Sequence, residues 1–281
     1  MLRVASSVAW VRLGGVVILA IAALAAYDVG VRRLRARGVT WPATRRLAFT
    51  IGVIILAAAS SGPVPDRFSG RVVEHVLVGM VGPWSMVLGR PITLAVRAGG
   101  RARSTARWAL HARVPSRLAH PLVALALFAL GPWVLWLTPL YRWEGRSELV
   151  HSAVHLHLVL SGALFAVAVL GLEPTAWRHA HPLRLLSAAL LLPVHTVLGL
   201  VLLSARQPYL QPHLPAEAAL ADQRLGAALL WVIGDGLATT TLLLIGWQWA
   251  AADRRDPAPS ATPVVGTGVA RGGRAPRLPG G

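Results

Sequence analysis

Long apolar stretches, separated by short polar segments that carry arginine, set the pattern of this chain. Seven of them reach the ~17–25 residues that a helix needs to cross about 30 Å of hydrocarbon. They run near Val11–Val31, Leu47–Gly62, Val72–Leu88, Pro121–Thr138, Leu149–Gly171, Leu183–Leu203 and Leu225–Trp249. Backbone amides in lipid must be satisfied within the segment, so such runs form helices. The expectation is an all-α integral membrane bundle of seven transmembrane helices, filling residues 1–252. From Asp253 the chain turns to Pro, Gly, Ala and Arg without periodicity, which predicts a disordered cytoplasmic tail over 253–281.

Composition agrees with a membrane protein. Hydrophobic residues make up 55% of the 281 positions and charged residues 14%, too apolar a balance for a soluble domain. The net charge of +17 invites a nucleic-acid partner. The distribution argues against one, because the arginines do not share a basic face but fall in alternate loops. Twenty of the 28 lie on one side: after the first span, after the third, around Arg178 and Arg184, and in the tail. The positive-inside rule then puts the N-terminus out and the C-terminus in. Arg32, Arg33, Arg35 and Arg37 read as a stop signal behind a retained first helix, not a cleaved leader. The basic segment Gly99–Arg117 suits anionic lipid headgroups. There is no cysteine, which excludes disulfides and thiolate metal sites.

Against this background the polar residues inside spans stand out. His75, His151, His155 and His195 interrupt apolar runs, accompanied by Glu74 and Asp235. Ionisable groups in hydrocarbon are costly and mark function by default. His151 and His155 are one helical turn apart and share a face. With the topology above, Glu74 and His75 begin the third span, His151 and His155 occupy the first turns of the fifth, and His195 sits about 12 Å below the same surface at 1.5 Å per residue. All belong to the outer half of the bilayer, with Asp235 near the midplane. His75 shares a stripe with Gly79 and Gly82, His155 with Gly162, and His195 with Gly199. Small residues mark faces where membrane helices approach closely, so these histidines should face protein.

Each residue also has a plainer reading. The His151–His155 pair would serve as a helix–helix hydrogen bond, and Glu74 with His75 as a polar pair at a helix end. Met86 reads as packing rather than a soft ligand, and Arg71 as a snorkelling anchor. Trp231, one turn before Asp235, either stacks over the site or packs. His157 points to another face, and His111, His120, His179, His181 and His213 read as surface residues. Together the in-span group of three to four histidines and one or two carboxylates suits copper, zinc, iron or haem, and no motif chooses among them. A haem or di-iron redox protein and a proton-coupled transporter using Asp235 and His195 stay open on the residues alone.

Four ordered elements carry a resemblance. They are Glu74-His75-Val-Leu-Val-Gly-Met-Val-Gly-Pro83 closing on Leu88-Gly89-Arg90-Pro91; His151-Ser-Ala-Val-His155 with Leu160-Ser161-Gly162; Pro193-Val-His195 with Gly199; and Asp222-Gln223-Arg-Leu-Gly226 with Trp231-Val-Ile-Gly234-Asp235. Over most of residues 10 to 256 the chain resembles the polytopic CtaG family of cytochrome c oxidase assembly factors. It departs from that pattern in having Arg71 where the family usually has His, and Glu74 where it usually has Gln. The resemblance implies a non-enzymatic, multi-pass protein of the bacterial plasma membrane. It implies copper as the metal, held by His75, His151, His155, His195, Asp235 and Glu74. The implied partners are the large subunit of a haem-copper oxidase and other copper chaperones.

Overall fold

The computed structural model describes residues 2–62, 66–175, 179–209 and 214–254, and every regular element among them is helical. In chain order these are α1 (Leu2–Arg35), α2 (Ala43–Ser61), α3 (Phe68–Val76), a π-helical turn (Leu77–Val81), α4 (Gly82–Leu88), α5 (Pro91–Ala98), α6 (Gly100–His111) and α7 (Arg113–Leu118). Then follow α8 (Pro121–Leu137), α9 (Leu140–Glu144), α10 (Glu148–Leu170), α11 (His181–Ser204) and α12 (Ala216–Asp253). His213 and the tail from residue 255 lie outside the described residues.

Six segments are long and apolar enough to cross a membrane: Arg12–Arg35, Ala43–Ser61, Phe68–Ala98, Glu148–Leu170, His181–Ser204 and Ala216–Asp253. The seventh expected span is a shorter apolar helix of 17 residues, α8. It carries Pro132 in its interior. The basic segment Gly99–Arg117, expected as a loop, is instead two short helices, α6 and α7.

The main core joins α3, α8, α10, α11 and α12 around Phe68, Phe128, Phe165, Leu135, Leu191 and Leu198. A smaller one joins α1, α2 and α5 through Tyr27, Phe49, Val53 and Leu94, with Tyr27 and Phe49 stacked at 4.1 Å. Large apolar side chains face outward on the long helices, among them Ile18, Leu19, Leu149, Val232 and Leu243. An outward apolar belt is what lipid requires and water would penalise.

The third span is broken for a definable reason. Pro83 has no N–H to give the carbonyl of Gly79, four residues earlier, so the regular ladder fails there. The chain widens into the π turn, and Gly82 N–H bonds the Leu77 carbonyl instead. The freed Gly79 carbonyl points at Gly162 on α10, where an added Cβ would stand 1.8 Å from its oxygen. Glycine at 162 is therefore obligatory for this approach. The contact fixes the spacing of α3 and α10, the two helices that carry the expected site.

Two arginine-rich segments, the end of α1 and the α5–α6 region, meet at one end of the bundle. Arg37 donates to the Arg97 carbonyl at 3.2 Å, and Arg33 reaches the α5–α6 junction. The last turn of α10, the start of α11 and Gln248 of α12 close on the same end. The buried in-span polar cluster lies toward the opposite end, where the span Phe68–Ala98 and α10 begin.

Candidate metal centre

Four of the six expected ligands converge. Glu74 and His75 come from the last turn of α3, His151 and His155 from successive turns of α10, and all four are buried. The Oε1 atom of Glu74 lies 3.8 Å from His151 Nε2 and 3.7 Å from His155 Nε2. The His151 and His155 rings are 4.0 Å apart, and the His75 ring meets that of His155 edge-on at 5.4 Å. Trp136 closes one side by an edge contact with His75 at 5.3 Å.

A fifth member escaped the sequence reading. Glu144, at the end of α9, is 1% exposed and bonds His151 Nδ1 directly. Its other oxygen accepts from Arg71 Nη1 at 2.8 Å, and His75 Nε2 lies 3.6 Å from the oxygen that His151 bonds. Burial pushes the Glu144 carboxyl up, but the bond from His151 and the nearby His75 and Arg71 outweigh it and hold it well below the usual carboxylate range. The one available cue was that Glu144 stands seven residues before His151, two helical turns if the chain were continuous. Gly145 breaks that continuity, so periodicity alone could not pair them. Glu148, nearer in sequence, instead pairs with Arg12 at 3.0 Å on the partly exposed flank.

Arg71 is not a snorkelling anchor. Its guanidinium lies over the Tyr141 ring at 4.6 Å and pairs inward with Glu144. The charge neutralises a buried carboxylate that would otherwise be isolated.

The decisive feature is what the cluster leaves unbonded. Glu74 Oε2, both ring nitrogens of His75, His151 Nε2 and His155 Nε2 are buried without a hydrogen-bond partner. Buried polar atoms are nearly always satisfied, so five orphans in one place call for a ligand. Glu74, His75 and His155 can bring one donor atom each within 4.8 Å of one another, and so can Glu144, His151 and His155. Glu144 already serves His151 and Arg71, which leaves the Glu74 group as the more available set. Glu144 on Nδ1 of His151 fixes the tautomer that presents the Nε2 lone pair, the carboxylate–histidine arrangement found behind metal ligands.

His195 and Asp235 stand outside both groups. Asp235 accepts from Thr196 Oγ1 at 2.8 Å and from Trp231 Nε1 at 2.7 Å, so Trp231 bonds rather than stacks. His195 packs on Gly234, where a Cβ would approach its Nδ1 to 2.4 Å. Neither ring nitrogen of His195 has a partner, nor does Asp235 Oδ1. A cavity of about 20 Å³, room for one water-sized sphere, is walled by His75, Phe128 and Leu230. Phe128 also meets the His195 ring edge-on at 6.4 Å. Met86 packs against Gly52 of α2, away from the histidines.

The fold and the site define a polytopic helical protein with a buried histidine–carboxylate cluster. Residues 25–252 match the family described as cytochrome c oxidase caa3 assembly factor, and the chain belongs to that family. Uncharacterized proteins of Mycobacterium bovis and Mycobacterium tuberculosis are each 32% identical to it over 247 residues, covering 82% of this chain and 37% of theirs. One from Mycobacterium leprae is 30% identical over the same length, 38% of its own. The chain thus spans under two fifths of the curated relatives it matches. No solved structure matches it significantly.

Proposed function

We propose that this protein assists assembly of a haem-copper oxidase by holding copper as cargo and handing it to the large oxidase subunit within the membrane. The observation that carries the reading is the set of five buried, unbonded donor atoms on Glu74, His75, His151 and His155. Imidazole with one carboxylate suits copper as it suits zinc and iron, and the family's tie to cytochrome c oxidase assembly favours copper among them. Glu74, His75, His151 and His155 hold the ion; Glu144 and Arg71 orient His151. Transfer is ligand exchange: an accepting histidine replaces one of these, and the released imidazole and Glu74 take up or give up protons as the ion leaves. His195 and Asp235, across Phe128, form a second polar station that receives protons or the ion next. No bond to substrate is made or broken, so the role is that of an assembly factor and not an enzyme.

The bundle has seven spans on this reading, with α8 as the fourth, the N-terminus outside and the arginine-rich end in the cytoplasm of a bacterial cell. The cluster then lies in the outer half of the membrane. Deleting the gene and assaying the terminal oxidase for activity, copper and haem separately tests the function. Loss of copper with haem retained is the expected result. Normal copper content and activity would sink the copper-delivery reading.

A further inference from the structure

At the arginine-rich end, a cavity of about 900 Å³ opens between α5, α10, α11 and α12. Arg90, Arg97, Glu173, His179 and Arg184 line it. Glu173 is the only acidic residue among the described residues of that lining, and it is already hydrogen-bonded. Its carboxylate accepts from the backbone N–H groups of Ile92 at 2.9 Å and Thr93 at 2.8 Å, and from Thr93 Oγ1 at 2.5 Å. It thereby occupies the N-terminus of α5 itself. Arg184 is committed too, donating to the Val169 and Leu170 carbonyls at 2.7 and 2.6 Å and to Gln248 at 2.6 Å. The guanidinium groups of Arg90 and Arg97 have no ion pair or side-chain hydrogen bond among the described residues. The Nε2 atom of His179 is buried and unbonded in the same wall. Glu173 interacts electrostatically with Arg90 but offers it no direct ion pair, so three arginines face one carboxylate and the cavity keeps an excess of positive charge.

A second cavity adjoins it. About 690 Å³ lies between α5, α6, α7 and α10, and its walls are apolar: Ile92, Ala95, Ala106, Ala163 and Leu164. Val167 and Thr175 line both cavities, so one leads into the other. The groove runs along α10 from Leu160 to Val167, about 10 Å at 1.5 Å per residue. Over it lies α6, with Arg101, Arg103, Arg107 and Trp108 exposed, the composition of a helix resting in the headgroup layer. A cationic chamber joined to an apolar channel matches one kind of molecule, an anion with a hydrocarbon tail.

We propose that this pair of cavities binds one anionic glycerophospholipid of the leaflet at the arginine-rich end, its phosphate between Arg90, Arg97 and His179 and an acyl chain in the groove between α6 and α10. The lipid neutralises the two arginines and pins α5 and α6 to α10. The site is separate from the histidine cluster and stands or falls independently of copper.

The test uses the full chain purified in detergent, stripped of lipid, then titrated with phosphatidylglycerol, phosphatidylcholine or inorganic phosphate and read by native mass spectrometry. Wild type should retain about one phosphatidylglycerol, prefer it clearly over phosphatidylcholine, and not lose it to equimolar phosphate. Arg90→Gln with Arg97→Gln should weaken phosphatidylglycerol binding roughly thirty-fold, from the usual contribution of each arginine near a lipid headgroup. Ala163→Leu leaves every charge in place and fills the channel, so it should also lose the lipid while its thermal unfolding stays cooperative. Equal retention of phosphatidylcholine, displacement by phosphate, or unchanged binding in both variants would overturn the proposal.

Discussion

Glu173 and Glu74 are both buried carboxylates at opposite ends of the same bundle, and they are treated differently. Glu173 makes three hydrogen bonds and caps a helix. Glu74 keeps one oxygen bare and faces two histidine nitrogens at nearly 4 Å, too far for hydrogen bonds. Burial pushes the Glu173 carboxyl up, and the bonds from Thr93 and Ile92 offset part of that. The same split runs through the cations. Arg184 closes the end of α10, filling the space beside Gly171, whose φ of +60° ends the helix. The histidines opposite keep four ring nitrogens buried without a hydrogen bond: both of His75, and Nε2 of His151 and His155. Polar groups committed to backbone are structure, and polar groups buried without commitment are a site waiting for a ligand.

Substitutions can break this contrast. The largest effect should come from Gly162→Ala, because its Cβ would collide with the Gly79 carbonyl and push α10 from the π turn. A loss of about 3 kcal/mol is expected, with copper binding lost as His75 and His155 separate; thermal unfolding in detergent and metal content would show it. Arg71→Met should come close behind, at about 3 kcal/mol, because buried Glu144 would lose its guanidinium partner and keep only the His151 bond. Adding Glu144→Leu should restore most of that stability without restoring copper affinity. A double variant as unstable as Arg71→Met alone would show that the pair is not the unit.

Glu144→Gln keeps the shape and removes the charge behind His151. Copper affinity should fall about 10–100-fold, measured by competition with a chelator, and unchanged affinity would leave Glu144 outside the site. Glu173→Gln is the matched control at the other end. It should cost about 1 kcal/mol in stability, as cap substitutions do, and leave copper content as in wild type. His195→Ala should have the mildest effect on binding: full copper stoichiometry, with delivery to the oxidase slowed in cells.

The helical architecture was legible because apolar length alone specifies spanning helices, and the glycine stripes predicted which faces meet. Gly162, on the His155 stripe, faces protein as expected, and the residue it meets is Gly79 of the His75 stripe. The pairing of Glu74, His75, His151 and His155 was likewise legible from depth and helical phase. Glu144 was not, since it enters from a five-residue helix behind Gly145, and no periodicity crosses that break. The inward turn of Arg71 was hidden for the same reason, because its partner was unknown. His195 and Asp235 shared the expected depth, but depth does not fix azimuth. They pack around Gly234, Thr196 and Trp231 on the α11–α12 pair instead. His120 and His179, read as surface residues, meet ring to ring at 5.1 Å, a contact that joins two loops far apart in sequence.

The central claim is that the orphaned donors bind metal as a unit. The direct measurement is copper per chain, by elemental analysis of protein purified in detergent and loaded with copper, for wild type, His155→Ala and Glu173→Gln. About one copper per chain in wild type and in Glu173→Gln, with loss in His155→Ala, is the predicted result. Equal copper in all three, or none in any, would contradict it.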